Sequence, residues 1–185
     1  DITRNVAKMR GVKSRLGNFS GELRGEIILP KSDKGSHFKD YVNERNAAAG
    51  IAKRYDGEGC DKLNVLFYRL ILDDPEQNAK VNTKSKEFKL LKKLGLPTPY
   101  HTDVETFDQA RVIYENYIES QREQLDYLID GLVIEVDDKD EAETLGNDPT
   151  GRPRGAVAFK FPHAKAQTKL VDIIWQTGKT GRCTP

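Results

Sequence analysis

The chain reads as an α+β fold, with antiparallel sheets meeting at a cleft and helices on the outside. Two observations carry this reading. Four stretches, residues 21–30, 63–72, 130–138 and 156–162, have the short, apolar or alternating character of strands. Between the second and third lie two segments with helical periodicity and recognisable start and stop signals. At 185 residues with 37% hydrophobic and 32% charged residues, the sequence is large enough to bury one sizeable core, so one main domain is expected.

Residues 1–16 are basic, with Arg4, Lys8, Arg10, Lys13 and Arg15, and are expected to form a helix or turn with a solvated face. In residues 21–30, Glu22, Arg24 and Glu26 share one strand face and Leu23, Gly25 and Ile27 the other. Three alternating charges fit a solvent side. A strand-edge glutamate also accepts hydrogen bonds from a ribose hydroxyl or from metal-bound water, which makes Glu26 a candidate. Residues 38–56 contain Arg45-Asn46-Ala47-Ala48-Ala49-Gly50, where the alanines favour a helix and Gly50 weakens it. Arg45 and Lys53 then sit about two turns apart, a spacing that suits two phosphates or an ordinary solvated face.

Residues 63–72 predict a strand with Leu63, Val65, Phe67, Arg69 and Ile71 on one side and Asn64, Leu66, Tyr68 and Leu70 on the other. Tyr68 either stacks on a base or packs in the core. Residues 73–83 predict a polar loop. A helix over 85–94 follows, with Phe88, Leu91 and Leu94 as its apolar stripe and Gly95 and Pro97 as its stop. A second helix opens at Thr106, which forms a capping box with Gln109, and carries Ala110, Ile113, Tyr114, Tyr117 and Ile118 inward. Arg122 leads into the next strand and either reaches over the pocket or lies in solvent.

Residues 130–138, Asp-Gly-Leu-Val-Ile-Glu-Val-Asp-Asp, form the stretch around which the rest is organised. In residues 156–162, alternation sets Val157, Phe159 and Phe161 against Ala156, Ala158 and Lys160. Two alanines beside a cation leave a bare strip where a flat or phosphorylated ligand can lie, so both strands are expected to line one nucleotide pocket. Residues 146–155 predict a mobile turn, and 170–177 a last strand. Gly178-Lys179-Thr180 lacks the glycine spacing and the following helix of a phosphate-binding loop.

The net charge of +1 hides basic runs at 84–93 and 152–169 and an acidic one at 137–143, so a nucleic-acid surface here is a patch. Cys60 and Cys183 have no metal-ligand or redox spacing, which fits a cytoplasmic setting. No apolar run approaches the roughly 20 residues that span a bilayer, so no membrane partner is expected.

Read together, Leu23-Arg24-Gly25-Glu26, Arg45-Asn46-Ala47-Ala48-Ala49-Gly50, Phe67-Tyr68, Ile129-Asp130-Gly131-Leu132-Val133-Ile134, Ala158-Phe159-Lys160-Phe161-Pro162 and Gln176-Thr177-Gly178-Lys179-Thr180-Gly181 resemble, in order, the motifs of the adenylation (nucleotidyltransferase) domain of NAD-dependent DNA ligases. The resemblance implies the nucleotidyltransferase fold shared by ligases and capping enzymes, with residues 1–169 a partial adenylation domain and 170–185 the start of the junction to an OB-fold domain. It implies NAD and Mg2+ as cofactors, nicked duplex DNA, NAD or AMP as partners, and a bacterial or phage-like source. It also implies nick sealing in DNA repair and replication through lysyl-AMP and DNA-adenylate intermediates. Glu26 would hold the ribose or metal-bound water, Tyr68 and Val133 would sandwich adenine, and Asp130 would help place magnesium. Lys160 would bind the α-phosphate, while Arg45, Lys53 and Arg122 would grip the nicotinamide nucleotide or DNA phosphates.

Three departures stand beside the resemblance. The nucleophile motif Lys-x-Asp-Gly is absent, and residues 1–6 resemble the segment just downstream of it, so the nucleophile is expected in an upstream segment or another polypeptide, as in a split ligase. Glu135 stands where the fourth motif usually has lysine. A carboxylate there repels phosphate unless it points elsewhere or another cation substitutes. Lys53 stands where the family tends to have arginine, which removes bidentate contact. The alternatives are a catalytically silent, ligase-derived DNA-binding protein, which Glu135 favours, and an ATP-using ligase or capping enzyme.

Overall fold

The computed structural model describes residues 1–33, 35, 38, 41–162 and 167–185. Residues 163–166, inside the expected basic run 152–169, lie outside the described residues, as do 39 and 40 at the start of the expected 38–56 stretch. The elements in order are α1 (Thr3–Val6), β1 (Gly21–Ile28), α2 (Glu44–Ala52), β2 (Asn64–Leu72), α3 (Pro75–Lys80), α4 (Lys84–Lys93), α5 (Phe107–Asn116), α6 (Arg122–Gln124), β3 (Gly131–Glu135), α7 (Lys139–Thr144), β4 (Ala156–Lys160), β5 (Gln176–Thr177) and β6 (Cys183–Thr184). The architecture is mixed α and β with antiparallel strands, as expected. It forms three two-stranded ladders, β1–β2, β3–β4 and β5–β6, rather than two sheets.

The core lies under β1–β2, where Leu29, Ile51, Leu63, Leu70 and Leu91 are fully buried. Helix α2 closes it through Ala47, Ala48, Ile51 and Ala52, so the alanine run is a close-packing surface as well as a helix former. The inward/outward pattern expected for β2 fails halfway. Arg24 pairs with Arg69 but Gly25 pairs with Phe67, so Tyr68 is an extra residue, a β-bulge. The bulge shifts the phase of the strand. Leu63, Val65 and Phe67 point inward before it and Leu70 after it, while Arg69 is exposed instead of sharing their face.

Helix α4 obeys its signals. Thr83 caps it, and Gly95, at φ +67°, follows its last turn in a conformation that disfavours other residues. The loop expected at 73–83 contains α3, for which Asp74 caps Glu76 and Gln77 and Pro75 supplies the first turn. Helix α7 was likewise hidden in the acidic run at 137–143, where Asp138 caps Asp140 and Glu141. At the other end, the strand expected over 170–177 shrinks to Gln176–Thr177, and Leu170, Val171, Ile174 and Trp175 stand exposed.

A buried carboxylate ties the pieces together. Glu87 of α4 is wholly inaccessible, accepts a hydrogen bond from the Leu70 backbone N–H just past the bulge, and pairs with Lys84 at 3.4 Å and Lys139 at 3.0 Å. Lys84 also reaches Glu135 of β3, at 3.2 Å. Backbone bonds reinforce this seam: the Lys84 N–H donates to the Asp137 carbonyl and the Lys139 N–H to that of Asn82. Removing one partner from a buried ionic group leaves uncompensated charge in a poor solvent for it. Glu87→Ala is therefore expected to lower unfolding free energy by about 3–5 kcal/mol, read by urea denaturation. A loss below about 1 kcal/mol would contradict a structural role for this carboxylate.

Candidate functional site

The site begins with the register of the β3–β4 hairpin, in which Gly131 faces Lys160, Val133 faces Ala158, and Glu135 faces Ala156. Directly opposed residues share a face, so Lys160, Val133 and Glu135 line one side of the ladder. The other side is held by aromatics. Tyr114 of α5 stacks on Phe159, with centroids 3.9 Å apart, lies 5.2 Å from Phe161, and donates its hydroxyl to the Lys160 carbonyl at 2.8 Å. Anchoring Phe159 and Phe161 on α5 turns Lys160, between them, to the opposite face. Val157 shares the face of Phe159 by register, as expected, but is exposed.

Gly131 sets the next contact. A Cβ there would lie 2.6 Å from the Phe159 carbonyl oxygen and 2.8 Å from the Lys160 Cα, so only glycine lets β3 start this close to β4. The Phe161 N–H donates to the Asp130 carbonyl at 2.8 Å, and Lys160 Nζ reaches Asp130 Oδ2 at 2.8 Å. Arg45 Nη1, from the first turn of α2, lies 3.5 Å from the same oxygen. The hydrogen bond from Lys160, with the charges of Lys160 and Arg45, holds the Asp130 carboxyl below the usual carboxylate range despite a smaller opposing effect of burial.

Asp130, Lys160 and Arg45 thus come together, with Val133 and Glu135 farther along the Lys160 face. Val133 is 67% exposed and opposes only an alanine, which leaves the middle of the face apolar and open. Glu135 lies on the Lys160 face by register, and its carboxylate is paired with Lys84 at 3.2 Å. Glu26 and Tyr68 belong to the β1–β2 sheet, Glu26 opposite Leu66 and Tyr68, 43% exposed, on the bulge. Among the described residues, neither forms an ion pair or hydrogen bond with the Asp130 group. Lys53 caps the far end of α2, exposed and away from that group. Arg122 follows a π-helical turn (Tyr117–Gln121) and sits 5.2 Å over the Phe161 ring, beside a cavity of about 340 Å³ lined also by Lys31, Ile118, Glu123, Leu128 and Ile129. A second cavity, of about 270 Å³, is apolar and lies against Leu23, Ile27, Val65 and Phe67.

Sequence reasoning missed Lys84 and Glu87. The signal was available, because Glu87 precedes Leu91 and Leu94 by four and seven residues and so occupies the apolar stripe of α4. Among the described residues, no helix is long and apolar enough to cross a membrane.

The chain is similar over its length to known proteins. The family model described as NAD-dependent DNA ligase adenylation domain matches residues 1–164. The DNA ligase of Sorangium cellulosum is 43% identical over 187 aligned residues, which cover all of this chain and 26% of that protein. The DNA ligases of Leuconostoc mesenteroides and Thermosipho africanus are 33% and 32% identical, again over the whole chain and over 28% and 29% of their own lengths. The chain therefore spans roughly a quarter of the length of these relatives. With the match running through both hairpins and the helices between them, the chain belongs to the NAD-dependent DNA ligase adenylation domain family.

Proposed function

We propose that this chain forms the AMP-holding part of an NAD-dependent DNA ligase, built on the nucleotidyltransferase fold, with residues 1–169 the partial adenylation domain and 170–185 leading toward an OB-fold domain. The observation that carries the reading is the Asp130–Lys160–Arg45 group at one end of an open face whose middle, Val133 and Ala158, is bare. A nucleotide needs cations for its phosphate and a flat apolar surface for its base, and the two must be separated along one face. Lys160 binds the α-phosphate and stabilises the charge that develops there during transfer. Val133 supports the adenine from one side and Tyr68 covers it from the other, while Glu26 accepts from the ribose. Arg45 faces the departing nicotinamide nucleotide. Lys53 and Arg122 reach that nucleotide or the DNA phosphates near the nick.

The nucleophile is supplied from outside the sequence, which has no Lys-x-Asp-Gly. Its amine attacks the α-phosphorus, the bond to the nicotinamide mononucleotide breaks, and AMP remains on the lysine. AMP then passes to the 5′-phosphate of the nick and is displaced by the 3′-hydroxyl. Among the described residues no group of three His, Cys, Asp or Glu converges to cage a metal. The single carboxylate of Asp130 fits a magnesium ion that keeps its waters and is held mainly by substrate phosphates, where it would neutralise phosphate charge. The cation of Lys84 beside Glu135 supports this reading over that of a catalytically silent, ligase-derived DNA-binding protein, which Glu135 by itself favours.

Mixed with a segment carrying Lys-x-Asp-Gly and with NAD labelled in its adenylyl phosphate, the chain is expected to support label transfer to that segment. Lys160→Met should reduce both transfer and AMP affinity about 10–100-fold, the range for losing a charge-assisted contact. No transfer and no AMP binding by the parent chain would refute the reading. A second expectation concerns pH. Because pairing lowers the Asp130 carboxyl pKa in the folded chain, its stabilising contribution is complete above about pH 3.9 and disappears as pH falls through the lower folded value. A carbon-detected NMR titration should put the Asp130 midpoint below about 3.9 in the parent and nearer that value in Lys160→Met. An identical midpoint in both would contradict the pairing.

A further inference from the structure

Unlike the exposed Asp130 group, a second charge cluster among the described residues is poorly accessible at its centre, and in it Lys139, Glu87, Lys84 and Glu135 alternate in sign. Its interior member, Glu87, takes the Leu70 N–H on Oε1, while Oε2, which accepts no hydrogen bond among the described residues, depends on the ammonium groups of Lys139 at 3.0 Å and Lys84 at 3.4 Å. Lys84 bridges two carboxylates, and its ammonium lies nearer Glu135, at 3.2 Å, than Glu87, at 3.4 Å. The lysine side chain is only 12% exposed, whereas that of Glu135 is 37% exposed and stands on the face that carries Lys160. A carboxylate so placed subtracts from the potential an anionic ligand meets, and a fixed cation beside it cancels that effect.

We propose that Lys84 is a positioning residue of the nucleotide face: held by Glu87, it fixes and neutralises Glu135, so that the face accepts the phosphate of an AMP moiety. The inference deepens the reading that this face binds a nucleotide and rests on it. Glu135 lies four residues along β3 from the position opposite Lys160, about 13 Å at the usual strand rise. At that separation and an effective dielectric of about 20–40, one uncompensated charge changes affinity about three- to ninefold per unit charge on the ligand, hence about five- to 75-fold for AMP, whose monoester carries about −1.5 to −2 at pH 7. Adenosine, which has no phosphate, is insensitive to this effect. The ratio of AMP to adenosine affinity thus isolates electrostatics from general damage to the pocket.

The test is isothermal titration of the chain with AMP and with adenosine, at low and high salt, for the parent, Lys84→Met, Glu135→Gln and the double variant. Lys84→Met should lower the AMP-to-adenosine ratio about five- to 75-fold at low salt and less at high salt. Glu135→Gln keeps the Glu87 pairs intact and should raise the ratio by a similar factor. The double variant should return it to within about twofold of the parent. If Lys84→Met weakens AMP and adenosine equally, or lowers only the melting temperature, Lys84 is merely structural and the inference is overturned. An unchanged ratio in Glu135→Gln, where the fold is not disturbed, overturns it as well. Failure of the parent to bind either ligand removes the nucleotide reading and this inference together. Parent binding with unchanged variant ratios removes the inference alone.

Discussion

The buried carboxylate of Glu87 is the constraint on which the arrangement of the sheets depends. A charge with no access to water is tolerated only where cations and donors surround it, so its partners cannot drift independently. Here they come from three places: the Leu70 N–H on β2, Lys84 one turn earlier on α4, and Lys139 at the start of α7. Because α7 follows β3 directly, satisfying Glu87 also fixes where the β3–β4 hairpin stands relative to the β1–β2 core. Hydrophobic burial builds that core, but it is non-directional and does not set the register of a second, two-stranded ladder.

Two other seams reinforce the same placement. Arg45, on the helix that closes the core, meets Asp130 at the entrance to β3. Near the end of β1, the Lys31 N–H donates to the Asp126 carbonyl at 2.6 Å and Ser32 donates to the Asp126 carboxylate from both N–H and hydroxyl. Each seam is polar and partly wet. A hairpin attached in this way can keep one face open, since the bonds that hold it run from its ends. Its aromatic side rests on Tyr114 while Lys160 and Val133 remain accessible, and this division makes the hairpin usable as a binding surface.

Much of this was legible in the sequence where a local rule coincided with the tertiary demand. Thr106 and Gln109 lie close together at the start of α5, where the Gln109 N–H donates to the Thr106 hydroxyl at 3.3 Å. The Gln109 side chain, however, turns back to the Glu105 N–H at 2.7 Å, one residue earlier than in the standard box. The Asp130–Lys160 contact could be anticipated because strand period and antiparallel pairing place both residues at one end of a ladder. The bulge at Tyr68 could not, because nothing local in Phe67-Tyr68-Arg69 marks an extra residue and strict alternation therefore put Arg69 on the core side. Helices α3 and α7 are capped by Asp74 and Asp138, but their polar composition gave no apolar stripe to detect. The strand expected at 170–177 failed for the converse reason: its residues are β-formers, yet only Gln176 and Thr177 have a partner strand among the described residues. Glu135 was readable as a departure, and its resolution by Lys84 required tertiary structure.

The central claim is that AMP lies along the Lys160–Val133–Glu135 face of the β3–β4 hairpin. Its most direct test is a methyl-resolved NMR titration of the chain with AMP. Ring-current shifts are expected at Val133 and Ala158, with smaller changes at Lys160. Shifts centred instead on Leu23, Ile27 and Val65, in the apolar cavity against β1–β2, would contradict it.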